Sequence, residues 1–150
     1  VVALIAYWDP GHGDNPPRLE TVDQLDRALE EVRATRRMAV VELLVADDRG
    51  RAILDVGLNG DRGTLYYAGE NWSAWFSSAG KRAEQDDDGE PLLYYYMTAD
   101  TEYPRSAEIP VEQVMAAARE YMTSGGARPA GVEWQSADAF DERLIAARRD

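Results

Sequence analysis

The most legible hydrophobic pattern runs through residues 109–135, IPVEQVMAAAREYMTSGGARPAGVEWQ. Val111, Val114, Met115, Ala118, Tyr121 and Met122 recur at the spacing of one stripe of an α-helix. Pro110 stands where that helix begins, a position that suits its fixed φ and missing N–H. Ser124-Gly125-Gly126 ends it, because glycine takes the left-handed C-cap conformation without a Cβ clash. Pro129 forbids resumption. Val132 and Trp134 then alternate with Glu133 and Gln135, the period of a half-buried strand. A second stripe, Val22, Leu25, Leu29 and Val32, follows Thr21, which forms a capping-box pattern with Gln24. Arg33, Arg36 and Arg37 lie near the far end of this helix, where cations complement its dipole.

Between the helices the pattern changes to short β-rich runs. Residues 2–8 predict a first strand, followed by a loop at 9–17 dense in turn formers. Residues 38–46, 51–58 and 64–68 predict a three-stranded antiparallel meander. Its turns are Asp47-Asp48-Arg49-Gly50 and Asn59-Gly60, the latter extended or bulged by residues 61–63. Residues 69–91 are the least regular and read as a long loop, with a short strand or helical turn near Trp75. Residues 92–98, LLYYYMT, predict a strong strand, and residues 99–107 a polar connection. The weak stripe Phe140, Leu144, Ile145 and Ala147 makes residues 136–150 a marginal helix or a frayed tail.

Together these elements predict one α+β domain spanning residues 1–150. The expected architecture is a single antiparallel sheet of about six strands around the meander, with two main helices packed on one face. The other face is expected to be partly solvated or used for binding.

Charge narrows the function. The 28 Asp and Glu against 16 Lys and Arg give a net charge of −12. Such a field repels nucleic-acid phosphate and anionic membrane surfaces, but allows a basic protein partner. No apolar run reaches the roughly 18 residues of a membrane span. The apolar start, VVALIAYW, lacks the basic flank and cleavage site of a signal peptide. A strand and a cytoplasmic location are therefore expected.

The chemistry-bearing residues are sparse. The chain has no cysteine, which removes disulfides, thiolate nucleophiles and Cys-ligated zinc together. His12 is the only histidine and lies in a Gly/Pro loop without a nucleophile elbow, so it reads as a bystander. The acidic run at residues 86–90 lacks the spacing of a calcium loop. The stretch 57–63 is glycine-rich but lacks the Lys and Ser/Thr of a phosphate loop, and a strand follows it. No metal, cofactor or catalytic residue is therefore assigned, and no two carboxylates stand out as an acid/base pair.

Trp72, Trp75 and Phe76, close to the acidic run, have two readings. They pack beneath a long loop, or they anchor a recognition surface whose carboxylates steer a basic, nucleic-acid-handling partner.

The order of these motifs resembles the immunity protein 1 family of bacterial polymorphic toxin systems. The resemblance rests on Leu25 and Leu29; on Val56-Gly57-Leu58, Gly63 and Leu65-Tyr66-Tyr67; on Glu108-Ile109-Pro110; and on Gly126, Arg128, Pro129 and Val132-Glu133-Trp134. It implies a non-enzymatic, cofactor-free protein that binds and neutralises a cognate toxin. Members are often paired with deaminase-fold toxins that act on nucleic acid with a zinc-activated water. An inhibitor need only cover the mouth of such a site.

The matching motifs read as scaffold, so no family residue carries over as interface. The expected contact is the acidic loop Glu84, Asp86, Asp87, Asp88 and Glu90, with Trp72 and Trp75 as anchors. Asp61 at the hairpin tip, and Asp100 and Glu102 after the aromatic strand, are secondary candidates. Two rival readings stay open: a scaffold module of a bacterial complex, and a small carboxylate-dependent enzyme.

Overall fold

The computed structural model describes residues 1–48, 52–69, 73–87 and 89–149. Its chain order is β1 (Leu4–Tyr7), β2 (Arg18–Leu19), α1 (Val22–Thr35), β3 (Ala39–Val45), β4 (Ile53–Asn59), β5 (Arg62–Ala68), β6 (Ala74–Ser77), α2 (Lys81–Gln85), β7 (Leu92–Tyr96), β8 (Ala99–Tyr103), β9 (Ile109–Pro110), α3 (Val111–Thr123), β10 (Trp134–Ser136) and α4 (Ala137–Arg149). Short 3₁₀ turns occupy residues 10–12 and 105–107.

The class is the expected α+β, but among the described residues the sheet holds ten strands rather than about six. The main path runs β10-β6-β5-β4-β3-β1-β2. Every pairing is antiparallel except the single β3–β7 bridge, Ala39 opposite Tyr95. The extra strands are short and share edges. β1 takes residues 42–45 of β3 while β7 takes Ala39. In the same way β6 takes residues 66–68 of β5 while β9 takes Arg62 and Gly63.

The expected signals hold best in the helices. Thr21 accepts the Gln24 N–H, and the Gln24 side chain accepts the Thr21 N–H, completing the capping box. Val111 is the first helical residue of α3, and Pro110 is its cap. Its end falls at Ser124, with Gly125 at φ 77° and Gly126 at φ 97°. A Cβ on Gly126 would also stand 2.7 Å from Val45 Cγ2, so this position excludes a side chain twice over.

One face of the sheet carries the main core. Val41 and Leu43 of β3, Leu54, Val56 and Leu58 of β4, and Leu65 and Tyr67 of β5 pack against Leu25, Leu29 and Val32 of α1 and the stripe of α3. Tyr121 ties helix to sheet, its hydroxyl lying 3.2 Å from both the Leu43 and the Ala52 carbonyls. Arg119 and Asp26 join α3 to α1 at 2.8 Å.

The second face corrects an expectation. It is covered rather than partly solvated. Residues 99–103, read as a polar connection, form β8 and pair with β7 along its length. The resulting hairpin lies over this face with α4, and together they bury Val40, Phe76, Tyr94, Tyr103, Ala137 and Phe140. Gly57 makes room: a Cβ there would stand 3.0 Å from the Tyr94 ring and 2.2 Å from Thr64 Oγ1. Of residues 136–150, read as a marginal helix or a frayed tail, Ala137–Arg149 form the helix α4, with Ala137 and Phe140 buried.

The C-terminal strand is also shorter and more enclosed than its alternation suggests. Gln135, expected on a solvated face, is buried. Its amide donates to the Ser77 carbonyl at 3.0 Å and to Ser106 Oγ at 2.9 Å. A buried amide with both donations satisfied costs little.

Candidate functional site

The β7–β8 hairpin has two unlike faces, because side chains alternate along each strand. Inward, Tyr94 and Tyr103 are fully buried, and their rings meet edge to face with centroids 5.3 Å apart. Phe76 of β6 lies 5.4 Å from Tyr103 and 5.4 Å from Phe140 of α4, extending the aromatic cluster through both layers. The Tyr94 hydroxyl donates to Glu108 Oε2 at 3.1 Å. Burial pushes both phenols up in pKa, so both stay neutral at physiological pH.

Outward, the register sets Leu93 opposite Glu102 and Tyr95 opposite Asp100. Leu93 is 39% exposed and Tyr95 51%. The strand read as uniformly strong is therefore an alternating one, with two large apolar side chains left in solvent beside two acids. Asp100 and Glu102 were expected here, but Leu93 and Tyr95 were missed. The signal that could have found them is a second strand at 99–103, which makes β7 one half of a hairpin.

The acidic loop reaches the base of this hairpin. Asp87 Oδ2 accepts the Ser106 hydroxyl at 2.6 Å and the Ser106 N–H at 3.2 Å. Glu84 accepts from Ser78 Oγ at 2.6 Å and lies 3.7 Å from Lys81 Nζ. These two carboxylates thus hold α2 and the following loop in place. Asp86 and Glu90 are exposed. Trp72 and Asp88 lie outside the described residues.

Other expected residues fall elsewhere. Trp75 is partly buried and packs toward the helix-covered core, while Phe76, its neighbour, points to the second face. The Arg128 guanidinium lies 4.3 Å over the Trp75 ring, a cation–π contact. Trp75 and Arg128 help line a cleft of about 570 Å³ with Tyr67 and Ser73. Asp61 is exposed in the β4–β5 turn, where its carbonyl accepts the Val111 N–H at 2.9 Å. No described contact joins it to the acidic loop. His12 packs edge-on against Trp8, and its Nδ1 accepts the Trp8 N–H at 3.4 Å.

Beneath the hairpin layer lies an acid pair that sequence reasoning did not reach. Glu42 of β3 is directly opposite Asp55 of β4, on the second face. Asp55 is pushed well above the usual carboxylate range by burial first, then by the Glu42 charge and their shared hydrogen bond. Its Oδ1 is buried without a hydrogen bond among the described residues. Tyr96 is raised in turn by burial and by both acids. The raised pKa favours the protonated form of Asp55, which lies under the aromatic layer rather than in an open cleft.

Among the described residues no three His, Asp or Glu side chains converge as a metal ion requires. No described helix is long and apolar enough to cross a membrane. What the outer hairpin face and the adjoining loop present is exposed apolar area beside exposed carboxylates, above a buried aromatic layer.

Residues 13–136 match the family model described as Immunity protein Imm1, a span that includes both main helices, the meander and the β7–β8 hairpin. No curated protein matches the chain.

Proposed function

The chain belongs to the Imm1 immunity protein family, and from that premise we propose that it neutralises a secreted toxin domain encoded beside it, by binding alone. The single observation that carries this reading is the family match across residues 13–136. The finer reading is that the toxin is a basic, deaminase-fold enzyme acting on nucleic acid, met in the cytoplasm of the producing cell. Three things support it. The motif order resembles that of deaminase-toxin inhibitors. A domain that handles nucleic acid carries a cationic surface. The chain at −12 complements such a surface.

Inhibition then needs no chemistry from this chain. A deaminase must admit an unstacked base into a pocket, and a bound protein that covers the entrance stops the reaction. A nanomolar complex, about −12 kcal/mol, is ample for that purpose.

The test is co-purification with the toxin domain encoded by the adjacent gene, followed by deamination of single-stranded DNA with and without an equimolar amount of this chain. A stable complex and loss of deamination support both levels of the reading. A complex with a toxin that does not deaminate nucleic acid sinks the finer level only. Absence of any complex sinks the immunity reading.

A further inference from the structure

We propose that the outer face of the β7–β8 hairpin is the anchor of the toxin interface, with Leu93 and Tyr95 seated in an apolar depression of the partner that is rimmed by Lys or Arg. The inference rests on the immunity reading and adds to it the place and chemistry of the contact.

Four large hydrophobic side chains are exposed among the described residues: Val1, Leu93, Tyr95 and Ile145. Val1 and Ile145 each stand apart from any other exposed large hydrophobic among the described residues, and singly scattered ones are commonplace. Leu93 and Tyr95 are different, because they stand two residues apart on one strand and so share one face. Exposed aromatic area that is rigidly held is what an interface hot spot requires. Rigidity comes from below. Tyr94, between them, is wedged against Gly57, and Tyr103 locks β8 to Phe76. The face is therefore ordered before binding, which lowers the entropy cost of association.

Charge selects the occupant. Asp100 and Glu102 lie directly across from Tyr95 and Leu93. Asp86 and Glu90 are exposed on the loop that Asp87 fastens to Ser106, at the base of the same hairpin. A second copy of this chain would set these acids against their own kind, on a protein already at −12. A basic partner instead gains attraction at the rim while the apolar pair is buried at the centre. Among the described residues β8 pairs only with β7, and no described strand covers the outer edge of the hairpin.

The experiment measures affinity and association rate of the full chain for the toxin domain encoded by the adjacent gene. The variants are Leu93→Ala, Tyr95→Ala, Tyr95→Lys and Asp100→Lys, with Arg128→Ala in the cleft beside Trp75 as the control. Thermal unfolding of each is recorded alongside. Tyr95→Ala is expected to weaken binding roughly thirty-fold through faster dissociation, and Leu93→Ala roughly ten-fold. Tyr95→Lys is expected to weaken it further, and Asp100→Lys to slow association in a salt-sensitive way. Arg128→Ala is expected to leave binding unchanged. If Leu93 and Tyr95 variants that unfold like the parent chain bind the toxin domain as tightly as it does, the anchor is not here and the inference falls alone. If Arg128→Ala weakens binding while the hairpin variants do not, the contact lies at the cleft. If the parent chain itself fails to bind, the immunity reading falls and takes the inference with it.

Discussion

On one face of the sheet, Leu54, Val56 and Leu58 of β4 meet the leucines of α1 and the stripe of α3. On the other, the alternate residues of the same strand are Asp55 and Gly57, and what they meet is Glu42 and the ring of Tyr94. The first face is built from aliphatic side chains and capped helices. The second is built from tyrosines and phenylalanines, with a carboxyl pair and two buried hydroxyls, Thr64 Oγ1 and Tyr103 Oη, that make no hydrogen bond among the described residues. The difference teaches where each kind of constraint acts. The aliphatic layer fixes the fold. The aromatic layer holds an exposed hairpin in a defined position, at some expense in buried polar groups.

The contrast can be broken hardest by removing the aromatic support. Tyr94→Ala leaves a cavity against Gly57 and the Tyr103 ring and is expected to cost about 3–4 kcal/mol in urea denaturation. The accompanying loss of toxin binding should exceed what the unfolded fraction explains, because the hairpin loses its support even in folded molecules. Gly126→Ala strikes the aliphatic side instead. Its φ of 97° and the approach of Val45 Cγ2 predict a loss of about 2–3 kcal/mol. Here the molecules that remain folded should bind the toxin normally, as an active-site titration of the complex would show.

Asp55→Asn sharpens the comparison through pH. Because the Asp55 pKa is raised on folding, the folded chain keeps a proton that the unfolded chain releases once pH passes the ordinary Asp value. Stability therefore falls as pH rises through the window from that value up to the raised one, by about 1.4 kcal/mol per pH unit for one proton. The asparagine variant should abolish that slope and be the more stable protein at pH 7, by about 1–2 kcal/mol. A flat pH profile in the parent chain would contradict the raised pKa of Asp55. The smallest effect is expected from Asp86→Lys combined with Glu90→Lys. Stability should change by no more than about 0.5 kcal/mol, while association with the toxin slows several-fold at low salt and converges with the parent at high salt.

How much of this was legible follows the same division. The stripe of α3, the capping box at Thr21 and the stop at Gly125-Gly126 are local signals, each confined to a few consecutive residues, and all stand in the structure. The hairpin layer is specified by pairs far apart in the chain. Residues 99–103, ADTEY, carry one fully buried side chain, Tyr103, and three polar ones, so no local period marks them as a strand. The meeting of Glu42 with Asp55 depends on the β3–β4 register, and the meeting of Tyr94 with Gly57 on a long-range fold-back. Asp100 and Glu102 were found by their charge. Leu93 and Tyr95 were hidden because, in LLYYY, inward and outward residues look alike. Of the expected acidic loop, Glu84 and Asp87 have structural partners and Asp86 and Glu90 face solvent.

Hydrogen exchange on the chain, alone and saturated with the toxin domain encoded by the adjacent gene, tests the division of labour most directly. The account predicts added protection across β7, β8 and the loop at residues 86–91, with α1 and α3 unchanged. Protection concentrated on α1, α3 or the cleft beside Trp75, with the hairpin unaffected, would contradict it.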